Sequence, residues 1–393
     1  MKGALLLMAI APQFHLDTLH GRKAMVMENG VIRVSALSGG GHIAEVRFDS
    51  GGEDRKVNPM RVPHYPTIEP QEYDPARHDA IYGADPHRWI SSGYMGHMLC
   101  FPAFGPPSSE EEIRNQFGNH GEAPIVEWKQ TGVDKNKDAV TLHYAADLPK
   151  TQYRVERSIT IVNGESVVYV EESVENLAEF DRTINWVQHA TFGPPFAEPG
   201  KTFLDASVGK GKVAGAGSLK ANSPVEWPKG TSWEDKEVNL RGFQKKANAG
   251  SYAALLHDQD RTQSYFTMYH SDYPVLIGYV YPTKDNPWLG DWQENHNMKH
   301  KPWNGEVVAR GMEFGTTPFA EGLKKSVDRG SLYGVPAFRW IGGKQKLTTH
   351  FTIFLAEVEK GFKGVKDVRA EGGKIVVDRR DGKKITLDAS RAK

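Results

Sequence analysis

The feature that most constrains the fold of this chain is a series of short β-rich runs separated by glycine and proline. These alternating or β-branched runs are residues 31–34, 43–48, 140–144, 159–161, 166–174, 265–268, 275–281, 307–314, 347–355 and 375–377. Runs of this length with turn residues between them predict strands. Helical patterns do not alternate with them, which disfavours a parallel sheet. The sequence therefore predicts an all-β, mainly antiparallel sandwich with few short helices and long functional loops.

Three local patterns are specific enough to place elements. Ser109 with Glu112 three residues later predicts the start of a short helix over residues 109–114. A second helix of one or two turns is expected over residues 317–323. Residues 374–378 and 384–387, on either side of an Asp-Gly turn, predict a terminal hairpin.

The chain of 393 residues is interpreted as one globular unit over residues 25–393, preceded by an N-terminal segment over residues 1–24. Lys2 and the apolar run 4–11 resemble the start of an export signal, although the segment is shorter than usual. The segment predicts a periplasmic or secreted protein if it is the remnant of such a signal, and a cytoplasmic protein otherwise.

Charge and cysteine content exclude some function classes. Lysine plus arginine equals aspartate plus glutamate, 49 each, so nothing favours electrostatic capture of nucleic acid or of an anionic membrane. Aromatic residues make up 10% of the chain and can stack on the C–H faces of a sugar. The single cysteine, Cys100, lies in an apolar run and predicts a buried, inert thiol.

Three segments carry residues suited to acid–base chemistry. His120 is followed by glycine in a loop, where backbone can approach a ligand closely. His189 lies in a strand-like run, on the opposite face from Gln188 and Ala190, and imidazole suits a general acid or base. Glu313 lies in an apolar strand-like run, where its carboxylate is either paired, for example with Arg310, or aimed into a cavity. Taken singly, each also fits a purely structural role.

A fourth stretch, residues 286–296, combines two tryptophans with polar side chains and suits a sugar platform. Asp291, Glu294 and His296 in this stretch match no specific metal template. We therefore predict neither a metal nor a cofactor.

In order and spacing, these segments resemble the aldose 1-epimerase (galactose mutarotase) superfamily over roughly residues 25–357. Residues 120–123 followed by Trp128 resemble the family's His-Gly-Phe-Ala stretch ending in tryptophan. Residues 186–192 resemble the strand with the catalytic histidine, and residues 311–319 resemble the strand with the catalytic glutamate. Residues 29–48 resemble the first hairpin of the family. The resemblance implies a β "supersandwich" and a monosaccharide or oligosaccharide substrate.

The resemblance also implies roles for single residues. His189 would be the general acid, Glu313 the general base, and His120 a substrate-binding histidine. Further substrate contacts are expected from Glu122, Trp288, Trp292, Glu294, Asn295, Arg88 and His97.

The sequence departs from the family in ways that keep two alternatives open. Glu122 replaces an aromatic residue, Pro124 replaces a frequent arginine, and an insert over residues 58–104 is rich in histidine and tyrosine. Tyrosine and histidine with Arg88 could serve a polysaccharide lyase or other glycoside-processing enzyme. A carbohydrate-binding protein without catalysis is the second alternative, because a fold does not fix a reaction.

Overall fold

A computed structural model of the protein describes residues 11–84, 88–215 and 217–393, and these residues form mostly strands. The strands up to residue 226 are β1 (Gln13–Leu19), β2 (Arg22–Glu28), β3 (Ile32–Leu37), β4 (Ile43–Phe48), β5 (His97–Cys100), β6 (Lys129–Lys135), β7 (Ala139–Leu148), β8 (Tyr153–Val162), β9 (Val167–Asn176), β10 (Arg182–Ile184), β11 (Val187–Phe192), β12 (Thr202–Ala206), β13 (Val208–Ala214) and β14 (Pro224–Glu226). The later strands are β15 (Lys229–Thr231), β16 (Glu237–Asn239), β17 (Ala249–His257), β18 (Gln263–His270), β19 (Val275–Pro282), β20 (Trp288–Asn295), β21 (Val308–Gly315), β22 (Ser331–Leu332), β23 (Val335–Pro336), β24 (Arg339–Ile341), β25 (Lys346–Glu357), β26 (Val365–Glu371), β27 (Lys374–Arg379) and β28 (Lys384–Asp388). The short helices are α1 (Pro75–Tyr82), α2 (Arg88–Gly93), α3 (Glu110–Arg114), α4 (Leu323–Arg329) and the 3₁₀ turns Pro70–Glu72 and Ala123–Ile125.

Two large antiparallel sheets form the body of the molecule. The first has the strand order β1-β2-β3-β4-β5-β11-β21-β20-β17-β13-β14-β15-β16, and the second has the order β12-β18-β19-β25-β9-β8-β7-β6. Small sheets are formed by β10 with β24, by β22 with β23, and by β26, β27 and β28. The predicted all-β antiparallel fold is confirmed.

The main core lies between the two large sheets. Phe314 of the first sheet stacks on Tyr281 of the second, with ring centroids 4.1 Å apart. In β8, buried and partly exposed residues alternate, because one face of the strand packs on this core while the other faces solvent. The hydrophobic contact between the inner faces therefore makes the pair of sheets a sandwich.

The outer face of the first sheet is also covered, at its centre. Both faces of β11 are buried, so successive residues point into two different environments. Ala190 and Phe192 join the main core, whereas Val187 packs with Ile90 and Tyr94 from the insert over residues 58–104. The insert therefore forms a layer over the sheet, and the candidate site lies beneath that layer.

One helix prediction is confirmed and the other is shifted. Helix α3 has the predicted capping box, in which Ser109 accepts from the Glu112 backbone N–H and Glu112 bonds back. The helix expected over residues 317–323 is wrong, because residues 317–322 are not helical and α4 begins at Leu323. Gly322, at the cap of α4, has φ 87°, a left-handed conformation that cannot continue a helix from upstream.

The two ends of the chain differ from expectation in detail. The boundary placed after residue 24 is wrong, because it falls inside β2, and β1 already pairs with that strand. The apolar run predicted as an export remnant lies almost entirely outside the described residues. The terminal hairpin is confirmed as β27 and β28, and β26 adds a third strand that the sequence did not predict. Within the described ranges no helix is long and apolar enough to span a membrane.

Candidate active site

His189 and Glu313 face each other on neighbouring strands of the first sheet. They are directly opposite in the antiparallel register of β11 and β21, so their side chains leave the sheet on the same face. His189 Nε2 lies 2.8 Å from Glu313 Oε1, and the two side chains are only 4% and 3% exposed. Gln188 and Ala190 lie on the opposite face, as predicted from the strand period. The fold therefore brings the two predicted acid–base residues into direct contact.

Two hydroxyl groups hold the other side of the His189 ring. Nδ1 lies 2.9 Å from Thr191 Oγ1 and 3.3 Å from the Tyr94 hydroxyl, which also bonds Thr191. A hydroxyl can donate to a neutral imidazole and accept from an imidazolium. Burial raises the pKa of Tyr94, so this phenol stays protonated. The pair of hydroxyls therefore fixes the ring in both of its protonation states.

The second oxygen of Glu313 is available for a ligand. Oε2 is buried and makes no hydrogen bond of good geometry with the described residues. The Tyr252 hydroxyl lies near the Glu313 carboxylate, whose charge adds to burial in raising the Tyr252 pKa, but this hydroxyl donates to the Pro318 carbonyl at 3.0 Å.

The pairing of Glu313 with Arg310 that the sequence left open is wrong, because Arg310 lies on the other face of β21 and bonds Asp291 at 2.9 Å. Gly311, two residues before Glu313, leaves room for the pair, since a Cβ there would lie 3.0 Å from His189 Cε1.

His120 adds a second imidazole at the same place. Its ring lies edge-on to His189, with centroids 5.4 Å apart. The backbone N–H of Gly105 donates to Nδ1 at 3.2 Å, which leaves the proton of a neutral ring on Nε2. Gly121 has φ 83°, and a Cβ there would lie 2.4 Å from the Phe101 carbonyl oxygen. The His-Gly sequence is therefore required for this close approach of the loop.

These side chains line a cavity of about 200 Å³ under the insert, which we call the catalytic cavity. The rings around it include Tyr94, Tyr252, Trp292 and Trp303. Trp292 lies 5.9 Å from the His189 ring centroid to centroid. Asn119 also lines the cavity, and its Oδ1 is buried without a hydrogen-bond partner among the described residues. The cavity thus combines aromatic faces with hydrogen-bond acceptors that have no partner among the described residues, a combination suited to the ring of a polyhydroxylated ligand.

Two of the predicted substrate contacts have structural partners instead. Glu122 is buried away from the cavity and accepts hydrogen bonds from the backbone N–H groups of Lys150 and Thr151 and from the Thr151 hydroxyl. Trp288 is fully buried, and its indole N–H donates to the Pro336 carbonyl at 3.0 Å. It shares a face of β20 with Trp292 but lies four residues before Trp292, about 13 Å away along the strand. Neither residue lines the catalytic cavity.

Two further predictions fall outside the cavity, and a third falls on a side chain that the structure does not describe. Asn295 is buried on the other face of β20 and donates to the Lys246 carbonyl at 3.0 Å. His97 points into the core between the sheets, where its Nε2 lies 2.9 Å from the Gln188 amide oxygen. Burial there holds the pKa of His97 well below its usual value. The side chain of Arg88 lies outside the described part of the chain.

Glu294 lies near the cavity but not in it. It lines an adjoining cleft and accepts a hydrogen bond from the backbone N–H of Met298 at 2.9 Å. Burial raises the pKa of its carboxyl. Among the described residues, no three His, Cys, Asp or Glu side chains are arranged to hold a metal ion.

Some residues of the site were missed at the sequence level. Thr191 stands two positions after His189 on the same strand, so the period of two could have placed it beside the ring. Asn119 directly precedes His120 and could have been included with it. Tyr252 and Trp303 gave no local signal, because they reach the cavity from a distant strand and a distant loop. Cys100 is buried, and burial raises the pKa of its thiol well above the usual value, which matches an inert thiol.

Sequence comparison gives no relative, whereas structure comparison gives many. No protein-family sequence model matches the chain, and no curated protein sequence matches it significantly. A proposed aldose 1-epimerase from Klebsiella pneumoniae is 11% identical with a TM-score of 0.61, and the match covers 89% of this chain and 84% of that one. A galactose mutarotase-like protein from Clostridium acetobutylicum is 12% identical with a TM-score of 0.56, over 88% of this chain and 99% of the other. A TPR-domain containing protein from Parabacteroides distasonis is 9% identical with a TM-score of 0.55, over 89% of this chain but 50% of its own.

Further structures that resemble this chain include a proposed mutarotase and a proposed aldose 1-epimerase. The predicted resemblance is confirmed at the level of the fold, which is a mutarotase-like β-sandwich. The TPR-domain protein illustrates that such a fold also forms part of larger proteins. At these identities the comparisons establish the fold, and the reaction has to be argued from the site.

Proposed function

We propose that this protein is an aldose 1-epimerase-like enzyme, which interconverts the anomers of a sugar by acid–base catalysis at His189 and Glu313. The observation that carries the proposal is the contact of this buried pair at a cavity walled by aromatic rings. The chemistry needs only one proton acceptor and one proton donor near the anomeric centre, and it needs no cofactor.

The proton transfers can be assigned to atoms of the pair. Glu313 Oε2, which makes no hydrogen bond of good geometry with the described residues, would take the proton from the hydroxyl on C1. His189 Nε2, as imidazolium, would turn its N–H from Glu313 Oε1, 2.8 Å away in the absence of sugar, to the ring oxygen and give its proton there while the C1–O5 bond breaks. The open-chain aldehyde would rotate about C1–C2, and reversal of the two transfers would close the ring on the other face. The protons balance, because the pair ends each cycle as it began.

The surroundings of the pair support both transfers. The Thr191 hydroxyl accepts from Nδ1 of the imidazolium before the transfer and can donate to the neutral ring afterwards. His120 lines the same cavity, with its ring centroid 5.4 Å from that of His189, and its imidazole can contact a ring or hydroxyl oxygen of the sugar. This holds the sugar so that its reacting atoms stay close to the acid and the base.

The size and walls of the cavity favour one sugar ring. Its volume of about 200 Å³ lies below the range of about 300–1,000 Å³ that is usual for drug-sized ligands. Trp292 and Trp303 offer apolar faces, and Asn119 offers an unpaired acceptor for a hydroxyl group. A single pyranose unit satisfies all of these features.

The test is polarimetry of freshly dissolved α-glucose and α-galactose with wild type and Glu313→Gln. We expect wild type to accelerate mutarotation, and the variant to lose about 10²–10⁴ of that acceleration, the usual contribution of a general base. Glu171→Gln is the matched control, because Glu171 is exposed on the second sheet and should leave the rate unchanged. Equal rates for Glu313→Gln and wild type would refute the assignment of the base.

The two alternative functions make different predictions. A lyase needs a tyrosine that readily loses its proton, whereas burial raises the pKa of Tyr94, the tyrosine of the insert that contacts His189. Incubation with uronic-acid polymers should therefore give no unsaturated product that absorbs in the ultraviolet. A binding protein without catalysis would bind sugar equally well after His189→Ala and accelerate no anomerisation.

A further inference from the structure

The catalytic cavity adjoins a second and larger depression, which we call the outer cleft. Its volume is about 490 Å³. Tyr252, Trp292, Met298 and Ala320 line both spaces, so the two are neighbours across a shared wall. Ala320 is exposed at the rim, as is Asn222 on the far side, so the cleft opens to solvent. Because the exposed Ala320 lines both spaces, they meet at a common rim, and a molecule larger than the cavity can extend across that rim from one space into the other.

The chemistry of the outer cleft repeats that of the cavity. Aromatic faces come from Tyr252, Trp292 and Phe319, and the polar groups beside them come from Asn222 and Asn297. Aromatic rings suit the C–H faces of a sugar, and amide groups suit its hydroxyls. The cleft is thus built for a polyhydroxylated ligand with apolar faces.

The charges of the cleft are mostly satisfied within the protein. Arg329 forms two hydrogen bonds to Glu321, at 2.6 and 2.7 Å. Glu294 is occupied by the backbone N–H of Met298. Among the described lining residues, Lys212 is the cation without an ion pair, and one ammonium is a weak site for a phosphate. This balance favours a neutral ligand over a sugar phosphate or a polyanion.

We propose that the outer cleft is a second saccharide subsite, so that the preferred substrate is a neutral oligosaccharide whose reducing-end unit occupies the catalytic cavity. The inference rests on the proposed function, because it uses the same acid–base pair. Ring opening requires a free hydroxyl on C1, so the unit beside His189 and Glu313 is the reducing end. The rest of the chain is linked through a hydroxyl other than that on C1 and extends past Trp292.

The test compares kcat/KM for glucose with kcat/KM for maltose, cellobiose and lactose by polarimetry. We expect at least one disaccharide to exceed glucose by about tenfold, the gain from roughly one aromatic contact. Ala214→Trp places an indole in the cleft from a partly exposed strand position that does not line the cavity. In this variant the ratio of disaccharide to glucose kcat/KM should fall to about one.

Thr131→Trp is the matched control, because it adds the same ring at an exposed position of β6 in the second sheet. It should leave the ratio as in wild type. A milder variant, Asn297→Ala, removes one polar group of the cleft at an exposed loop position and should lower the ratio partially. Equal kcat/KM for glucose and all three disaccharides would overturn the proposal, as would an unchanged ratio in folded Ala214→Trp.

A calorimetric titration separates failure of this inference from failure of the proposed function. If wild type accelerates no anomerisation, maltotriose and cellotriose are titrated into wild type and Ala214→Trp. Binding of either trisaccharide that Ala214→Trp abolishes would support the subsite although the enzyme proposal fails. Absence of binding by both trisaccharides would overturn the subsite.

Discussion

Replacement of Gly311 by alanine tests whether the contact between His189 and Glu313 depends on the absence of a side chain in β21. A Cβ at this position would lie 2.9 Å from Trp292 Cε3, 3.0 Å from His189 Cε1 and 3.2 Å from Glu313 Oε1. All three distances are shorter than the 3.4 Å at which ordinary van der Waals contact begins. The added methyl group must therefore displace the two acid–base residues and the aromatic wall together.

The size of the effect follows from these distances. The His189 ring has to move by about 0.4 Å to restore normal contact, and a misplacement of about 1 Å can cost about a hundredfold in rate. We expect kcat/KM to fall about sixfold on this scale. Overpacking costs about 1–3 kcal/mol of stability, whereas alanine in place of glycine in a strand returns about 0.5–1 kcal/mol. The net loss should be about 1 kcal/mol.

The assay combines polarimetry, urea unfolding and NMR of ¹⁵N-labelled histidine, whose His189 signals should shift whether or not the enzyme is active. Gly209→Ala is the control, because a Cβ at this exposed strand position meets nothing within 4 Å. It should keep wild-type activity and gain up to about 1 kcal/mol of stability. A folded Gly311→Ala variant with unchanged His189 signals and unchanged rate would refute the packing argument.

Three further predictions concern single buried side chains. Thr191→Val removes the hydroxyl that lies 2.9 Å from His189 Nδ1. Because such a hydrogen bond usually contributes about 1–1.5 kcal/mol, kcat should fall about five- to tenfold with little change in KM. A change confined to KM would contradict this role. Glu122→Gln should lower the free energy of unfolding, measured in urea, by about 1.5–3 kcal/mol, because the carboxylate accepts three hydrogen bonds, two of them from Thr151. The KM of the folded variant should not change. Burial lowers the pKa of His257 to about 4, so the unfolded chain, with a histidine pKa of about 6.5, takes up the proton first. Its contribution to stability is complete above about pH 6.5 and is lost as the pH falls toward 4, by about 1.4 kcal/mol per pH unit, and urea unfolding of His257→Gln should show a shallower pH dependence.

Much of the fold could be predicted because strand signals are local. The run at residues 43–48 coincides with β4, and the terminal hairpin forms as expected at β27 and β28. Strand β20 was not predicted as a strand, because its glycine, aspartate, glutamine and asparagine are poor strand formers whose placement depends on the neighbouring β17 and β21. The helix misplaced at residues 317–323 depends on the left-handed conformation of Gly322, which the residue type permits but does not specify.

The candidate site was predictable where chemistry and strand period agree, and unpredictable where partners come from elsewhere. His120, His189, Trp292 and Glu313 all line the catalytic cavity. Glu122 was misread because its binding partners lie in a turn about thirty residues further along the chain.

The sequence by itself determined that strands dominate, that His189 faces away from Gln188, and that a titratable pair was available. These properties depend on residue type and on the period of two along a strand, both of which are local. The tertiary structure decided that β11 and β21 are neighbours in a register that sets His189 opposite Glu313. It also decided which polar side chains remained unpaired in a cavity, because pairing between distant strands and burial under the insert are settled only when the whole chain packs.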